Sequence, residues 1–232
     1  MFSMLLLVSQ LQAAVPSTIS AIELLSLPEA NRIEIAKKQS AELYPQLIEM
    51  AFNDERSLQT RWNSLILAAQ IGKSSSDADI ERALSNKNWF MRNAALVALQ
   101  AIHSDKTQKV ALQLLSDKAL VVRSAAVTAI DNHADLSTRA TLWGELHAGY
   151  NFRKGQSLWI RREIVEKLAQ SPEKKEYAAF AAVIKDADKD LHVSAIEALE
   201  KITKKHFGNK KSSLADKEKL WISYVEKNPI FR

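Results

Sequence analysis

The chain has 232 residues, enough for one large domain or two small ones. Apolar residues make up 47% and charged residues 25%, which argues against wholesale disorder, and the absence of cysteine excludes disulfides, thiolate metal sites and cysteine nucleophiles. The net charge of +5 belongs to one end: residues 201–232 hold eight Lys and one Arg against three acids, so they carry +6 and the first 200 residues −1. Such a tail reads as a solvated helical end, or more sharply as a contact for an anionic partner.

Residues 1–17, MFSMLLLVSQLQAAVPS, run apolar from Met1 to Val8 and then reach the small pair Ala13-Ala14. This is similar to the apolar region and cleavage site of a secretory signal peptide, although no basic residue precedes Arg32. The run is too short to span a bilayer. The expectation is export to the periplasm or beyond, with residues 1–14 outside the fold; a cytoplasmic protein with an apolar first helix is the alternative.

Beyond this point helix is the economical reading. Only 5 Gly and 5 Pro interrupt a chain rich in Ala, Leu, Glu and Lys, and there is neither sustained alternation nor an Asn-Gly or Asp-Gly turn. Residues 15–40 predict an amino-terminal cap of two short helices split at Pro28.

From there to residue 202 the sequence repeats. QTRWNSLILA, FMRNAALVAL, VVRSAAVTAI, WIRREIVEKL and DLHVSAIEAL align on Arg61, Arg92, Arg123, Arg161 and His192. The positions one before, four after and seven after this ladder residue are almost all apolar and share one helical face. Each decamer is preceded by a second amphipathic stretch, so the unit is helix, turn, helix, and it must stack on its neighbours to bury its stripe. Residues 203–232 predict a basic linker and a carboxy-terminal capping helix with Leu220, Trp221 and Val225 on its apolar side.

With an acid in the turn, an aliphatic residue, the Arg and an Ala-rich second helix, the segment from Asp117 to Arg123 resembles a HEAT repeat of the armadillo-type α-solenoid family. The resemblance covers about residues 41–202. It implies an all-α, right-handed superhelix of about five helix pairs with caps, and a structural ladder in which Arg61, Arg92, Arg123 and Arg161 bond to turn acids such as Asp117. Glu55 and Asn86 are plausible substitutes for the acid; Gly155 is not, and His192 replaces the last arginine.

Catalytic and metal patterns are missing: the sequence has no Gly-rich phosphate loop, no G-x-S-x-G and no H-E-x-x-H. The only metal-like cluster, Asp131 to Asp135, falls in a turn where polar residues cap helices. His147 and His192 read as partly buried structural residues. The expectation is a non-enzymatic scaffold without cofactor or metal, monomeric when free, that binds a protein or peptide on its concave face. Trp62, Ile66, Asn93, Val97, Ser124, Thr128, Arg162 and Glu166, one or five residues after the ladder, would line that face. Three of the five glycines fall in the 38-residue gap between the third and fourth decamers, where the spacing is otherwise 31. Its Tyr150, Phe152, Arg153 and Lys154 form either a recognition loop or a long turn with tucked aromatics. A HEAT-like nucleic-acid binder or DNA glycosylase is the alternative, weakened by a face of mixed charge.

Overall fold

The computed structural model describes residues 18–208 and 212–229; the segment read as a signal peptide, 1–14, lies outside them. Among the described residues the protein is all-α, thirteen helices relieved by one pair of two-residue strands. It divides into two compact parts, up to Ile80 and from Glu81, with the boundary inside α5 (Asp77–Leu84).

In the amino-terminal part, α1 (Ala21–Ser26) begins at a capping box in which Ser20 and Glu23 satisfy each other's backbone amides. Leu27 ends it, and Pro28, pre-set to the helical φ, leads into α2 (Glu29–Lys38). Both pack on a helix pair, α3 (Ser40–Phe52) and α4 (Leu58–Gly72). Leu24, Ala36, Leu43, Leu47 and Ala68 close the core, each large one worth about 1.5–3 kcal/mol for leaving water.

The carboxy-terminal part continues the alternation. Second helices are α6 (Trp89–Ala101), α8 (Leu120–Ala129), α10 (Ile160–Gln170) and α12 (His192–Thr203); α7 (Thr107–Leu114), α9 (Leu136–Leu146) and α11 (Tyr177–Val183) precede the last three. α6 packs on α8, α8 on α10 and α10 on α12, while α7, α9 and α11 each pack on the second helix that follows. α13 (Leu214–Lys227) packs on α12. Met91, Val122, Ile160 and Leu191, before the ladder, are all fully buried. Leu96, Val127, Val165 and Ile196 four residues after it, and Leu99, Ile130, Leu168 and Leu199 seven after it, are buried too, which is why these segments cannot stand alone.

Lys167 interrupts the row of small residues six after the ladder, and it is useful there. Its Nζ donates to Thr128 O at 3.2 Å, Ile130 O at 2.9 Å and Asn132 Oδ1 at 2.9 Å, closing the carboxy-terminal end of α8. Lys201 does the same for α10 through Ala169 O and Gln170 O. A cation at orphan carbonyls complements the helix dipole, so adjacent second helices are tied at this end too.

Candidate interaction site

The ladder has a consistent geometry in the carboxy-terminal part. Arg92, Arg123 and His192 each bond the carbonyl six residues before them, Arg161 bonds Leu146 O instead, and each of the three arginines also bonds a side chain from the next helix pair. Arg92 Nη1 donates to Asn86 O, and its Nε and Nη2 donate to the two oxygens of Asp117 at 2.6 and 2.7 Å. Arg161 Nη2 meets Asp186 at 2.7 Å, while its Nε donates to Leu146 O. Both acids also accept the amide two residues on, from Ala119 and Asp188, so each carboxylate shapes its own turn while holding its neighbour's arginine. In the amino-terminal part Arg61 closes on its own turn, through Ala51 O and an ion pair with Asp54 at 2.7 Å, rather than the Glu55 that spacing had suggested.

The two departures in the motif are both repaired. At His192, Nε2 lies 2.9 Å from Asp186 O, and Nδ1 lies 3.1 Å from Glu218 Oε1 of α13, near enough for an ion pair but poorly aligned for a hydrogen bond. The imidazole is fully buried, whereas His147, expected to be partly buried, is exposed at the end of α9. At the fourth pair, where Gly155 offers no acid, the longer loop folds back to supply two neutral acceptors. Arg123 Nε donates to Asn151 Oδ1 at 3.0 Å and Nη2 to Tyr150 O at 3.0 Å, with Nη1 on Asp117 O at 2.8 Å.

That loop is ordered by the ladder. A short 3-10 turn (Gly149–Asn151) leads into a small hairpin, β1 (Phe152–Arg153) against β2 (Gln156–Ser157). Strands this short leave no alternation to read in a sequence. The two turn residues, Lys154 and Gly155, have φ of 52° and 77°, the left-handed pair that a tight hairpin demands. Tyr150 lies over the Arg123 guanidinium at 5.2 Å and Phe152 over that of Arg161 at 4.5 Å. Burial and a hydrogen bond to Glu145 push the Tyr150 phenol up to about 12.

The residues expected on a binding surface are therefore scattered. Trp62 and Ile66 are half-buried in the amino-terminal part; Asn93, Val97 and Ser124 are half-buried in the other. Thr128 is exposed but returns its hydroxyl to Ser124 O, and Arg162 pairs with Glu166 at 3.4 Å, both half-exposed. Arg153 and Lys154 project from the hairpin, Tyr150 is 44% exposed, and Phe152 is half-buried.

Four of the large exposed apolar side chains stand elsewhere, at the starts of consecutive second helices of the carboxy-terminal part: Trp89, Val121, Trp159 and Val193; others, among them Leu58, Leu136 and Leu214, stand at the starts of α4, α9 and α13. Of the four only Val193, one after the ladder residue, sat at a position that spacing had marked. The other three lie two or three residues before the ladder arginine, at helix starts, where a sequence pattern tuned to buried faces has nothing to say.

Two clefts flank the hairpin. One, about 440 Å³, is lined by Lys118, Leu120, Arg123, Tyr150, Phe152, Arg153 and Leu158, with Ser116 and Asp117. The other, about 540 Å³, has Trp159 beside Asp186, Asp188 and Asp190. The first lining sets three cations against Asp117, while the second sets these three acids against Arg161 and Arg162. No cluster of three or more His, Asp or Glu among the described residues is placed to hold a metal. Asp135 instead caps α9, accepting the Thr138 amide at 2.7 Å.

The fold defines a repeat-like all-α protein built of helix pairs. No protein-family model matches the chain, and no curated protein shows significant similarity to it. No helix among the described residues is long and apolar enough to cross a membrane.

Proposed function

We propose that the chain is a HEAT-like solenoid acting as a non-enzymatic interaction module. It would hold a segment of a partner protein along the starts of α6, α8, α10 and α12 and across the 152–157 hairpin. The observation that carries this reading is the placement of Trp89, Val121, Trp159 and Val193. Large apolar side chains are left 38–52% exposed on consecutive second helices, beside a hairpin braced by the ladder. Exposed tryptophans with a polar rim are the usual anchors of protein interfaces. The ladder groups nearby, Arg92, Asp117, Arg123, Arg161 and Asp186, are engaged in holding turns and helices together, as suits a rigid platform.

The test is recovery of binding partners by the full chain and by the variant Trp89→Ala/Trp159→Ala. Loss of at least 90% of the recovered partner with an unchanged helical spectrum supports the reading. Undiminished recovery refutes this surface.

A further inference from the structure

Among the arginine rungs, Arg123 differs in one respect: its charge meets no carboxylate. Arg92 has both oxygens of Asp117, Arg161 has Asp186, and Arg61 has Asp54. Arg123 has three neutral oxygens, from Asn151, Tyr150 and Asp117 O, although its residue is only 4% exposed. The contrast shows in their acidities. The Asp117 hydrogen bond holds the Arg92 guanidinium above its usual value, while burial pushes that of Arg123 below it. The nearby acids are engaged: Asp117 is clasped by Arg92, and Glu145 accepts the Tyr150 hydroxyl.

Arg123 also lines the 440 Å³ cleft, where two further cations, Lys118 and Arg153, stand against a single acid, Asp117, that Arg92 already holds. Lys118 and Arg153 are both exposed there, and neither forms an ion pair. Leu120, Phe152 and Leu158 give the cleft apolar walls. A partly desolvated guanidinium attracts an anion more strongly than a solvated one, because fewer waters must be displaced and less screening intervenes. The apolar walls favour a carboxylate carried on an aliphatic stem, with an apolar neighbour, over a bare ion or a nucleic-acid backbone.

We infer that the cleft between the turn before α8 and the 152–157 hairpin receives an acidic side chain, Glu or Asp, of a partner protein's segment. The carboxylate sits between Lys118 and Arg153 over Arg123, and the adjoining apolar residue packs on Phe152 and Leu158. This inference rests on the interaction-module reading and specifies the partner's chemistry at one point. The insertion that removes the turn acid at Gly155 thereby exchanges an internal carboxylate for an external one.

The experiment uses the full chain and two fluorescein-labelled dodecapeptides in which Glu alternates with Leu and Phe, or Lys replaces every Glu. Fluorescence anisotropy should show the acidic peptide binding at least tenfold more tightly than the basic one. Lys118→Glu/Arg153→Glu, which breaks no hydrogen bond or ion pair of the folded chain, should weaken the acidic peptide at least tenfold with an unchanged helical spectrum at pH 7. Equal binding of the two peptides, no binding of either, or indifference to the charge reversal overturns the inference. So does tighter binding of inorganic phosphate or a single-stranded oligonucleotide that displaces the acidic peptide. If Trp89 and Trp159 still govern partner recovery in that case, the interaction-module reading stands and the cleft inference alone fails. If the acidic peptide binds as expected but the tryptophans leave recovery unchanged, the reverse holds.

Discussion

Arg92 and Asp117 lie 25 residues apart in sequence and meet through two parallel hydrogen bonds of 2.6 and 2.7 Å, with both side chains under a tenth exposed. The same carboxylate accepts the Ala119 amide, so one group fixes a turn and fastens it to the preceding helix pair. Removing one partner strands the other charge in a dry place. Asp117→Ala should therefore cost about 3–5 kcal/mol, read as a lower urea midpoint at constant slope.

Acid should loosen the same joints. Burial alone would raise the carboxyls of Asp117 and Asp186, but the hydrogen bonds from Arg92 and Arg161 and from the amides of Ala119 and Asp188 outweigh it, and both are held below the ordinary range. An acid whose folded value lies below the unfolded one, about 3.9, stabilises fully above that pH and loses its contribution as pH falls through the folded value. Stability should thus drop below about pH 4. The variant Asp117→Asn/Asp186→Asn should be weaker at pH 7 and show a shallower acid slope in urea titrations; an identical slope would remove these two acids from the account.

A second lock stands between α9 and the turn before α11. Arg139 donates Nε and Nη2 to Glu176 at 2.9 and 2.6 Å, Trp143 Nε1 donates to the same carboxylate at 2.9 Å, and the Glu173 amide does so at 2.8 Å. Arg139→Met should destabilise by about 3–5 kcal/mol, since it leaves a buried carboxylate without its cation. Adding Glu176→Met should recover much of that loss. A double-mutant cycle with a coupling below about 0.5 kcal/mol would show that the pair does not act as a unit.

These two locks differ in how far the sequence discloses them. The buried positions around the ladder were readable because five decamers carry the same period, so each helix corroborates the others. Arg139 and Glu176 occur once, 37 residues apart, and nothing in the spacing couples them. The hairpin at 152–157 escaped for a different reason: its turn is Lys-Gly rather than Asn-Gly, and its strands are two residues long. Spacing places the apolar surface one and five residues after the ladder, at Trp62, Ile66 and Val97, where neighbouring side chains half-cover each of them. Helix starts escape such periodic cover, and that is where Trp89 and Trp159 stand.

His192 joins the ladder to the final helix. Its ring is fully buried between Asp186 O and Glu218, and Trp221 of the same helix is fully buried against Phe207. His192→Ala should free α13 before the rest unfolds. The expected readings are a red shift of Trp221 emission and faster proteolysis after Lys204–Lys205, with α6 to α10 protected as before. Simultaneous loss of protection throughout would mean that α13 is not a separable cap.

Gly72, at the end of α4, has no room for a methyl group. A Cβ there would lie 2.5 Å from the Tyr44 ring, and that ring is held in place by its hydroxyl, which donates to Asp79 at 2.7 Å. Gly72→Ala should cost about 1–3 kcal/mol through overpacking, despite the better helix propensity of alanine. Thermal melts should show the loss, and Tyr44→Ala should largely relieve it in the double variant.

Site-specific photo-crosslinking tests the proposed docking edge most directly. A benzophenone side chain is placed in turn at residues 89, 121, 159 and 193, and at 63, 113, 141 and 182 as controls, in the full chain expressed in its own cells. The account predicts one discrete partner band at most of the first four positions, mapping to a single acidic and apolar segment of that partner, and none at the controls. Crosslinks confined to the control positions, or spread evenly over all eight, would contradict it.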